Sequence, residues 1–309
     1  MKSVFCSDPL NPRQPDEAYQ AESAAAERLG IAFTLVDHDA LACDNDPVKA
    51  VRRVPQQADH GLGLYRGWML TPDQYRLMYE ALDAKGVRLL NDPAAYRHCH
   101  YLPESYPVIE PHTPRSVWIK TTGDVSTDEI MELLRPFGSA PVVVKDFVKS
   151  RKHEWAEACF IPSASDRASV ERVVRCFLEL QGDDLSEGLV FREFVEFEPL
   201  GRHPKSGMPL TKEFRLFFLD GQLVFWTPYW EGADYHGSVP PVERFAAVAG
   251  GVRSRFFTMD VAQRRGGDWL IVELGDAQVV GLPEHADVGQ FYKALRDHWP
   301  GEASQGAGS

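Results

Sequence analysis

The sequence has little of what marks secreted or membrane-bound proteins. Its 309 residues contain five scattered cysteines and no CxxC pair, so neither a disulfide framework nor a zinc ribbon is indicated. No apolar run approaches the ~20 residues that span a bilayer. Near the amino end, Lys2 and the short apolar stretch Val4–Cys6 do not form the pattern of a secretory signal. We therefore expect a cytoplasmic protein with reduced thiols and no membrane partner.

Positive charge is in deficit as well. The chain carries 33 Lys and Arg residues against 45 Asp and Glu residues, a formal net charge of −12. Sequence-independent binding to nucleic acid needs clustered cations, so we expect no nucleic-acid partner. The 44% hydrophobic and 25% charged content is ordinary for a globular protein, and the length allows one large domain or two to three small ones. No pattern predicts an oligomeric state.

What the chain does have is a strong candidate hairpin near its carboxyl end. Phe256–Arg264 and Asp268–Leu274 are rich in aromatic and β-branched residues and flank Gly266-Gly267. A Gly-Gly pair favours a two-residue hairpin loop because both positions can take a positive φ. That loop would place Asp260 directly opposite Glu273 on one face of the sheet.

Carboxylates held ~5 Å apart repel each other unless a cation lies between them. A divalent ion such as Mg²⁺ takes oxygen ligands and joins them to phosphates, so Asp260 and Glu273 are candidate metal ligands, with Asp276 as a third. The alternative is a solvent-facing strand with unrelated acids. A register slip of one residue would also separate the two side chains.

Basic residues precede this hairpin on other predicted strands. Lys120 ends the strand Ser116–Lys120, Lys145 lies in the strand Pro141–Phe147, and Arg215 precedes the Asp220-Gly221 turn signal. Cationic side chains bind phosphate oxygens and carboxylates hold the metal that bridges them. This composition fits a kinase, a nucleotidyl transferase or a ligase.

In this order the motifs resemble the ATP-grasp superfamily, and more closely its bacterial and phage clade named for two arginines and a lysine. A more distant resemblance is to the eukaryotic cell division cycle protein 123, an ATP-grasp assembly factor. The matching segments are Pro141–Phe147, Phe191–Phe197, Lys212–Asp220, Phe257–Val261 and Trp269–Leu282.

The resemblance implies an α+β ATP-grasp fold, in which two lobes clasp ATP, preceded by a small Rossmann-like α/β domain. We expect the N-terminal domain over 1–115, the small lobe over 116–188, the C-terminal lobe over 189–299 and a disordered tail over 300–309.

The resemblance also assigns roles to individual residues. Lys145 and Arg215 are the expected catalytic residues, with Arg215 near the γ-phosphate or acyl phosphate. The expected ATP-binding residues are Lys120, Lys145, Arg192, Glu193, Phe194, Val195, Glu198 and Arg215, and the expected metal ligands are Asp260, Glu273 and Asp276. The alternatives are a snorkelling strand-end lysine for Lys120 and a cross-strand salt bridge with Glu213 or a neighbour for Arg215.

The chain departs from the family at one position. Where the commoner pattern has asparagine two residues after the glutamate, this chain has Gly275, followed by Asp276. The aromatic segment Trp226–His236 lines an acceptor pocket in one interpretation and packs in the core in the other.

The function implied is an ATP-dependent ligase that joins a small-molecule or peptide carboxylate to an amine with Mg²⁺, or Mn²⁺, and releases ADP and phosphate. The alternative from another class is an ATP-binding assembly factor with little small-molecule turnover. A kinase that stops at phosphoryl transfer is a third interpretation.

Overall fold

A computed structural model describes residues 1–202 and 209–300, and the expected tail at 301–309 lies outside these residues. The described chain forms three sheets of four strands and one ribbon of two strands. Within these ranges the helices are all too short or too polar to cross a membrane.

The first sheet is parallel, with strand order β2-β1-β3-β4. Its strands are β1 (Lys2–Cys6), β2 (Ala32–Val36), β3 (Gly61–Arg66) and β4 (Val87–Leu89). Its helices are α1 (Gln20–Arg28), α2 (His38–Ala42), α3 (Pro47–Ala50) and α4 (Pro72–Asp83). Helix α4 begins where the sequence predicts, since Thr71 forms a capping box with Gln74. The expected Rossmann-like α/β sheet is confirmed.

Residues 91–114 are rich in Pro, His and Tyr, which suggests a connection out of the N-terminal domain, but they form two helices. They are α5 (Pro93–His100) and α6 (Leu102–Ile109). Pro93 and Pro103 lie in the first turn of these helices, where a missing N–H costs nothing, so prolines that suggest a loop mark helix starts. Cys99 and Ile109 pack into the core of the third sheet, so the expected boundary at 115 does not coincide with the edge of a core.

The second sheet is antiparallel, with order β5-β8-β6-β7. Its strands are β5 (Ser116–Lys120), β6 (Val142–Asp146), β7 (Phe160–Ile161) and β8 (Gly188–Glu193). Helices α7 (Thr127–Leu134), α8 (Trp155–Ala158) and α9 (Arg167–Gln181) accompany it. Strand β8 lies between β5 and β6, so the expected boundary at residue 188 cuts through a strand that belongs to this sheet.

The third sheet is antiparallel, with order β12-β11-β13-β14. The remaining strands are β9 (Pro199–Arg202), β10 (Pro209–Thr211), β11 (Glu213–Leu219), β12 (Gln222–Pro228), β13 (Phe256–Gln263) and β14 (Trp269–Asp276). The remaining helices are α10 (Val242–Ala249) and α11 (Val288–Asp297). The Asp220-Gly221 turn is confirmed: both residues have left-handed φ angles, 49° and 76°.

Helix α11 returns to the first sheet instead of completing the third. Phe291 and Leu295 are buried in the N-terminal core. Tyr292 donates a hydrogen bond of 2.9 Å to Glu22, which is paired with the buried Arg66 at 2.7 Å. The two ends of the described chain therefore share one core. Helix α11 packs in that N-terminal core, although the expected C-terminal lobe, residues 189–299, would include it.

Candidate active site

The pairing of Asp260 with Glu273 is confirmed, but by a different route from the one expected. The hairpin loop has three residues, 265–267, because the Arg264 N–H bonds the Asp268 carbonyl at 2.7 Å. That loop alone shifts the register by one residue. A β-bulge restores it, since Val261 faces Ile271 while Asp260 faces Glu273, leaving Val272 as the extra residue.

Each of the two acids forms an ion pair with a basic side chain of the protein. Arg215 lies opposite Asp260 on the neighbouring strand and bonds both carboxylate oxygens at 2.8 Å. Lys145 crosses from the second sheet and donates to Glu273 at 2.8 Å. These four side chains define what we call the interlobe cleft. The cross-strand salt bridge considered for Arg215 therefore exists, with Asp260 as its partner.

Charges around Glu273 fix its ionisation. Burial alone would raise the pKa of its carboxyl group, but Lys145 and Lys152 outweigh burial and lower the pKa to about 2. Burial also lowers the pKa of Arg215, but Asp260 outweighs burial, so the pKa lies above its ordinary value. Glu273 and Arg215 therefore stay charged at neutral pH.

Lys120 and Lys145 lie on the same face of the second sheet. Lys145 pairs with Val190 and Lys120 with Gly188, two residues along β8. The two lysines are offset by two residues along the strands, ~6.7 Å, and by two strand spacings of ~4.8 Å across the sheet. Their Cα atoms are therefore ~12 Å apart. The Lys120 side chain is 74% exposed and 3.9 Å from Glu187, so it lies at the exposed edge of this face.

Arg192 was expected to bind ATP, and in the nucleotide-free chain its hydrogen bonds go to groups of the protein. Its guanidinium donates to the Val272 carbonyl, to the Ile271 carbonyl at 3.0 Å and to the Thr113 hydroxyl. It has no carboxylate partner within the described chain, and burial lowers its pKa to about 10. The contacts made by Arg192 thus hold the bulge beside Glu273 and tie the second sheet to the third.

Asp276 lies away from the acid pair, so the expectation of a third metal ligand is wrong. Because side chains alternate along a strand, Asp276 and Glu273 point to opposite faces. The Asp276 carboxylate accepts from Asn91 Nδ2 at 2.6 Å and from the Gln278 N–H at 2.9 Å, and burial raises its pKa to about 6. Residues 1–202 and 209–300 contain no group of three or more His, Cys, Asp or Glu residues arranged for a metal.

Gly275 occupies the position of the family asparagine, on the same face as Glu273. A Cβ atom added there would lie 2.5 Å from Val280 Cγ2 and 2.8 Å from Thr258 Oγ1. Such distances are far below ordinary van der Waals contact, so a side chain at this position would require Val280 and Thr258 to shift.

The segment expected to contact adenine joins the second and third sheets. Phe194 packs against Trp155 and Phe160, with ring centroids 5.9 and 5.0 Å away. Glu193 is exposed, Val195 is half-buried, and the Glu198 N–H bonds the Gln263 carbonyl at 2.7 Å. The segment therefore borders an aromatic cluster on one side and the tip of the acid-bearing hairpin on the other.

His100 is a residue that the sequence did not single out for the site. With Arg215, Asp260 and Glu273 it lines a small cavity of about 130 Å³. Burial lowers its pKa to about 4, so the ring is neutral at pH 7. Its position depends on α5, the helix that sequence reasoning missed, and no local motif marked it.

Lys152 and Glu213 add one further basic and one further acidic side chain near the cleft. Burial lowers the pKa of Lys152, but Glu213 and other acids raise it above its ordinary value. Burial raises the pKa of Glu213 to about 7. Glu213 is two residues before Arg215 and so shares its face, a spacing that could have identified it.

The aromatic segment Trp226–His236 packs partly against Arg215 of the cleft and partly against the rest of the third sheet. The Arg215 guanidinium carbon lies 4.8 Å from the centre of the Tyr229 ring, so Tyr229 borders the cleft. Trp226 packs against Phe214 at 5.6 Å, and Tyr235 donates to the Glu213 carbonyl at 2.8 Å. Trp226 and Tyr235 therefore stabilise the packing of this segment on the third sheet.

A family model decides the relationship. The ATP-grasp domain of R2K clade family 3 matches residues 136–295, more than half of the chain. The chain belongs to this ATP-grasp family. The match includes Lys145, Arg215 and both opposed acids.

Solved structures share the ATP-grasp fold over almost the whole chain. A RimK domain ATP-grasp protein from Sphaerobacter thermophilus is 14% identical with a TM-score of 0.61, covering 96% of this chain and 98% of that one. D-cycloserine synthetase DcsG is 14% identical with a TM-score of 0.57, covering 96% and 99%. The ATP-grasp ligase PsnB, complexed with precursor peptide PsnA2 and AMPPNP, is 13% identical with a TM-score of 0.55, covering 96% of each chain. No curated protein matches the chain. At these identities the likeness establishes the fold alone.

Proposed function

We propose that this protein is an ATP-dependent ligase that joins a carboxylate to an amine through an acyl phosphate and releases ADP and phosphate. The observation that carries the proposal is the interlobe cleft, where Lys145 and Arg215 meet Asp260 and Glu273 in an ATP-grasp chain. The ligase PsnB, with its precursor peptide and AMPPNP, has the same fold and makes ligation the favoured activity.

In this proposal the triphosphate of the nucleotide lies along the lysine face of the second sheet. Lys145 and Arg215 are the cations nearest the acids, and Lys120 lies ~12 Å further along the same face. The backbone of 193–198 would contact the adenine edge, with Phe194 supplying apolar surface and Glu198 next to the ribose. The two-lobe division at residue 188 is adjusted to follow β8, while the other boundaries stay proposals.

The donor set at the acid pair fits Mg²⁺, and Mn²⁺ by the same oxygen chemistry. Mg²⁺ is commonly held by one or two carboxylates together with substrate phosphates, and Asp260 and Glu273 supply two opposed carboxylates. Each carboxylate has about four lone-pair sites, so bonding to Arg215 or Lys145 does not exhaust its capacity. When bound, the ion would neutralise phosphate charge.

The chain's own residues then bind, orient and stabilise charge. A substrate carboxylate oxygen attacks the γ-phosphorus, the new O–P bond forms, and the bond to the β–γ bridging oxygen breaks so that ADP leaves. An amine next attacks the acyl carbon, the C–O bond to phosphate breaks, and the amine loses a proton. Lys145 and Arg215 stabilise the negative charge on the transferring group, which requires no side-chain nucleophile.

The test is trapping of the activated carboxylate. The protein is incubated with ATP, Mg²⁺, hydroxylamine and a panel of amino acids and short peptides, and hydroxamate, ADP and phosphate are quantified. Stoichiometric hydroxamate and ADP support the proposal, whereas AMP and pyrophosphate refute the acyl-phosphate route. The variant Arg215→Gln should lower turnover by roughly 10²–10³-fold, the usual effect of removing one charge-stabilising group.

ATP binding without turnover on any carboxylate would favour the assembly-factor alternative. That alternative predicts a stable protein partner, and the resemblance to cell division cycle protein 123 stays a prediction. A cytoplasmic location and the absence of nucleic-acid partners are likewise part of this proposal.

A further inference from the structure

A large cavity lies outside the interlobe cleft, between the first sheet and the chain leading into β13. Its volume is about 860 Å³, within the ~300–1,000 Å³ range of small-ligand pockets. None of the four side chains that define the cleft lines it. Pockets at the junction of two units are a preferred place for small ligands.

Arginine is the prominent residue of this lining. We call it the arginine cavity, and the arginines that line it are Arg88, Arg97, Arg253 and Arg255. They come from three separate parts of the chain, namely β4, α5 and the segment before β13. A planar guanidinium offers a fork of N–H donors that matches the oxygens of a carboxylate or phosphate.

Three of these arginines already have acidic partners. Arg88 bonds Asp83 at 3.0 Å through Nε, Arg97 bonds Glu187 at 2.6 Å, and Arg255 holds Asp220 through Nε and Nη2. Arg88 therefore retains its two terminal nitrogens, and Arg255 retains Nη1, as donors with no partner in the described chain.

Arg253 differs from the other three because no acid of the described chain pairs with it. It is exposed, and its Nη2 lies 3.2 Å from Nδ1 of His98. A guanidinium only donates, so His98 accepts at Nδ1 and its ring carries the proton on Nε2. His98 is 3% exposed, and its Nε2 has no hydrogen-bond partner among the described residues.

Two acids also line the cavity, and each bonds a group other than Arg253. Asp92 Oδ1 caps helix α5 by accepting from the Ala95 N–H at 2.8 Å, and Glu104 is bonded by Arg97 at 3.2 Å. Both carboxylates thus bond other groups, and the remaining donors of the Arg253 guanidinium are left to solvent or to a ligand.

We propose that the arginine cavity binds a small-molecule oxyanion, a carboxylate or a phosphate ester, with Arg253 as its principal cation. Arg88 from β4 and Arg255 from the segment before β13 contribute their remaining donors. The site is independent of the proposed ligase chemistry, because it shares no lining residue with the cleft.

The test is calorimetric titration of inorganic phosphate and of succinate into the full chain, without nucleotide or metal. At least one anion should bind saturably, and phosphate alone or succinate alone would identify the source. The variant Arg253→Gln should weaken binding by at least about tenfold, since charge-assisted hydrogen bonds contribute ~1.5–3 kcal/mol. The control Arg175→Gln alters an exposed arginine on α9, outside the cavity, and should bind as the unaltered chain does.

A competition experiment separates this cavity from the cleft. Saturation with a non-hydrolysable ATP analogue should leave anion binding unchanged, and Arg253→Gln should still bind the analogue. Displacement by the analogue would place the anion in the cleft and overturn the proposal. Absence of saturable binding below about 10 mM for both anions, or equal binding by Arg253→Gln, would overturn it too, whatever the outcome of the ligase assay.

Discussion

Replacing Arg192 by methionine tests whether a buried arginine sets the register of the acid pair. The three hydrogen bonds that Arg192 makes, each worth ~1.5–3 kcal/mol for a charged donor, set an upper limit of roughly 5–9 kcal/mol. Burial opposes the charge and lowers the pKa of Arg192 to about 10, which offsets on the order of 3 kcal/mol. We expect Arg192→Met to lower the free energy of unfolding by roughly 2–5 kcal/mol.

The change should also affect the site. If the bulge at Val272 relaxes, the ladder continues in the register of Val261 and Ile271, Asp260 then faces Val272, and Glu273 turns to the opposite face. Catalytic turnover should fall by at least about 10²-fold even at temperatures where the variant is folded. Amide hydrogen exchange at residues 271–273 would show the loosened bulge directly.

Two comparisons make the experiment decisive. Arg244→Met removes an ion pair with Asp268 at the exposed end of the same hairpin and should cost less than about 1 kcal/mol. Deleting Val272 removes the bulge but keeps Asp260 opposite Glu273, so Arg192→Met should cost less turnover in that background.

The measurements are urea unfolding and steady-state kinetics. A direct contact of Arg192 with ATP would instead raise the KM for ATP and leave the stability of the nucleotide-free protein unchanged. That result would refute the reasoning.

Three further predictions concern single side chains around the cleft. Gly275→Ala should lower the free energy of unfolding by roughly 1–3 kcal/mol in urea titrations, because the new Cβ meets Val280; an unchanged midpoint would contradict this. The pKa of Asp276 is about 6 in the folded state against an ordinary 3.8, so the folded state binds a proton more tightly than the unfolded state. The free energy of unfolding should therefore fall by roughly 2–3 kcal/mol from pH 4 to pH 6. The variant Asp276→Asn should not show this decline. Lys120→Met should leave stability within ~0.5 kcal/mol and raise the KM for ATP about tenfold or more; an unchanged KM would support the strand-end alternative.

Local chemistry made part of this structure predictable. The sequence predicts a helix cap at Thr71, a capping box from Ser126 to Glu129 and a turn at Asp220-Gly221, each from residues within a few positions of each other. All three are present, and Thr71 also forms a capping box. The pairing of Asp260 with Glu273 was also predicted. The loop is one residue longer than expected and the bulge adds one residue to β14, so the two register shifts cancel.

Contacts between distant segments were not predictable in this way. Helices α5 and α6 were missed because their prolines suggest a loop. Asp276 was assigned to the acid pair by its closeness in sequence, yet its partner Asn91 lies 185 residues away. Arg192 was assigned to ATP, yet it meets carbonyl groups of β14, about 80 residues further along the chain. No periodicity in one sequence encodes such partners.

The same distant contacts explain how the acid-bearing hairpin is held. The N-terminal unit fixes one end of β14 through Asn91 and Asp276, the second sheet fixes the bulge through Arg192, and the neighbouring strand fixes Asp260 through Arg215. Constellations that bind charged groups must be positioned to within ~0.5 Å by side chains that are themselves locked in place. Because each tie comes from a different part of the fold, a shift of any one unit moves the opposed carboxylates, which would couple closure of the lobes to assembly of the site.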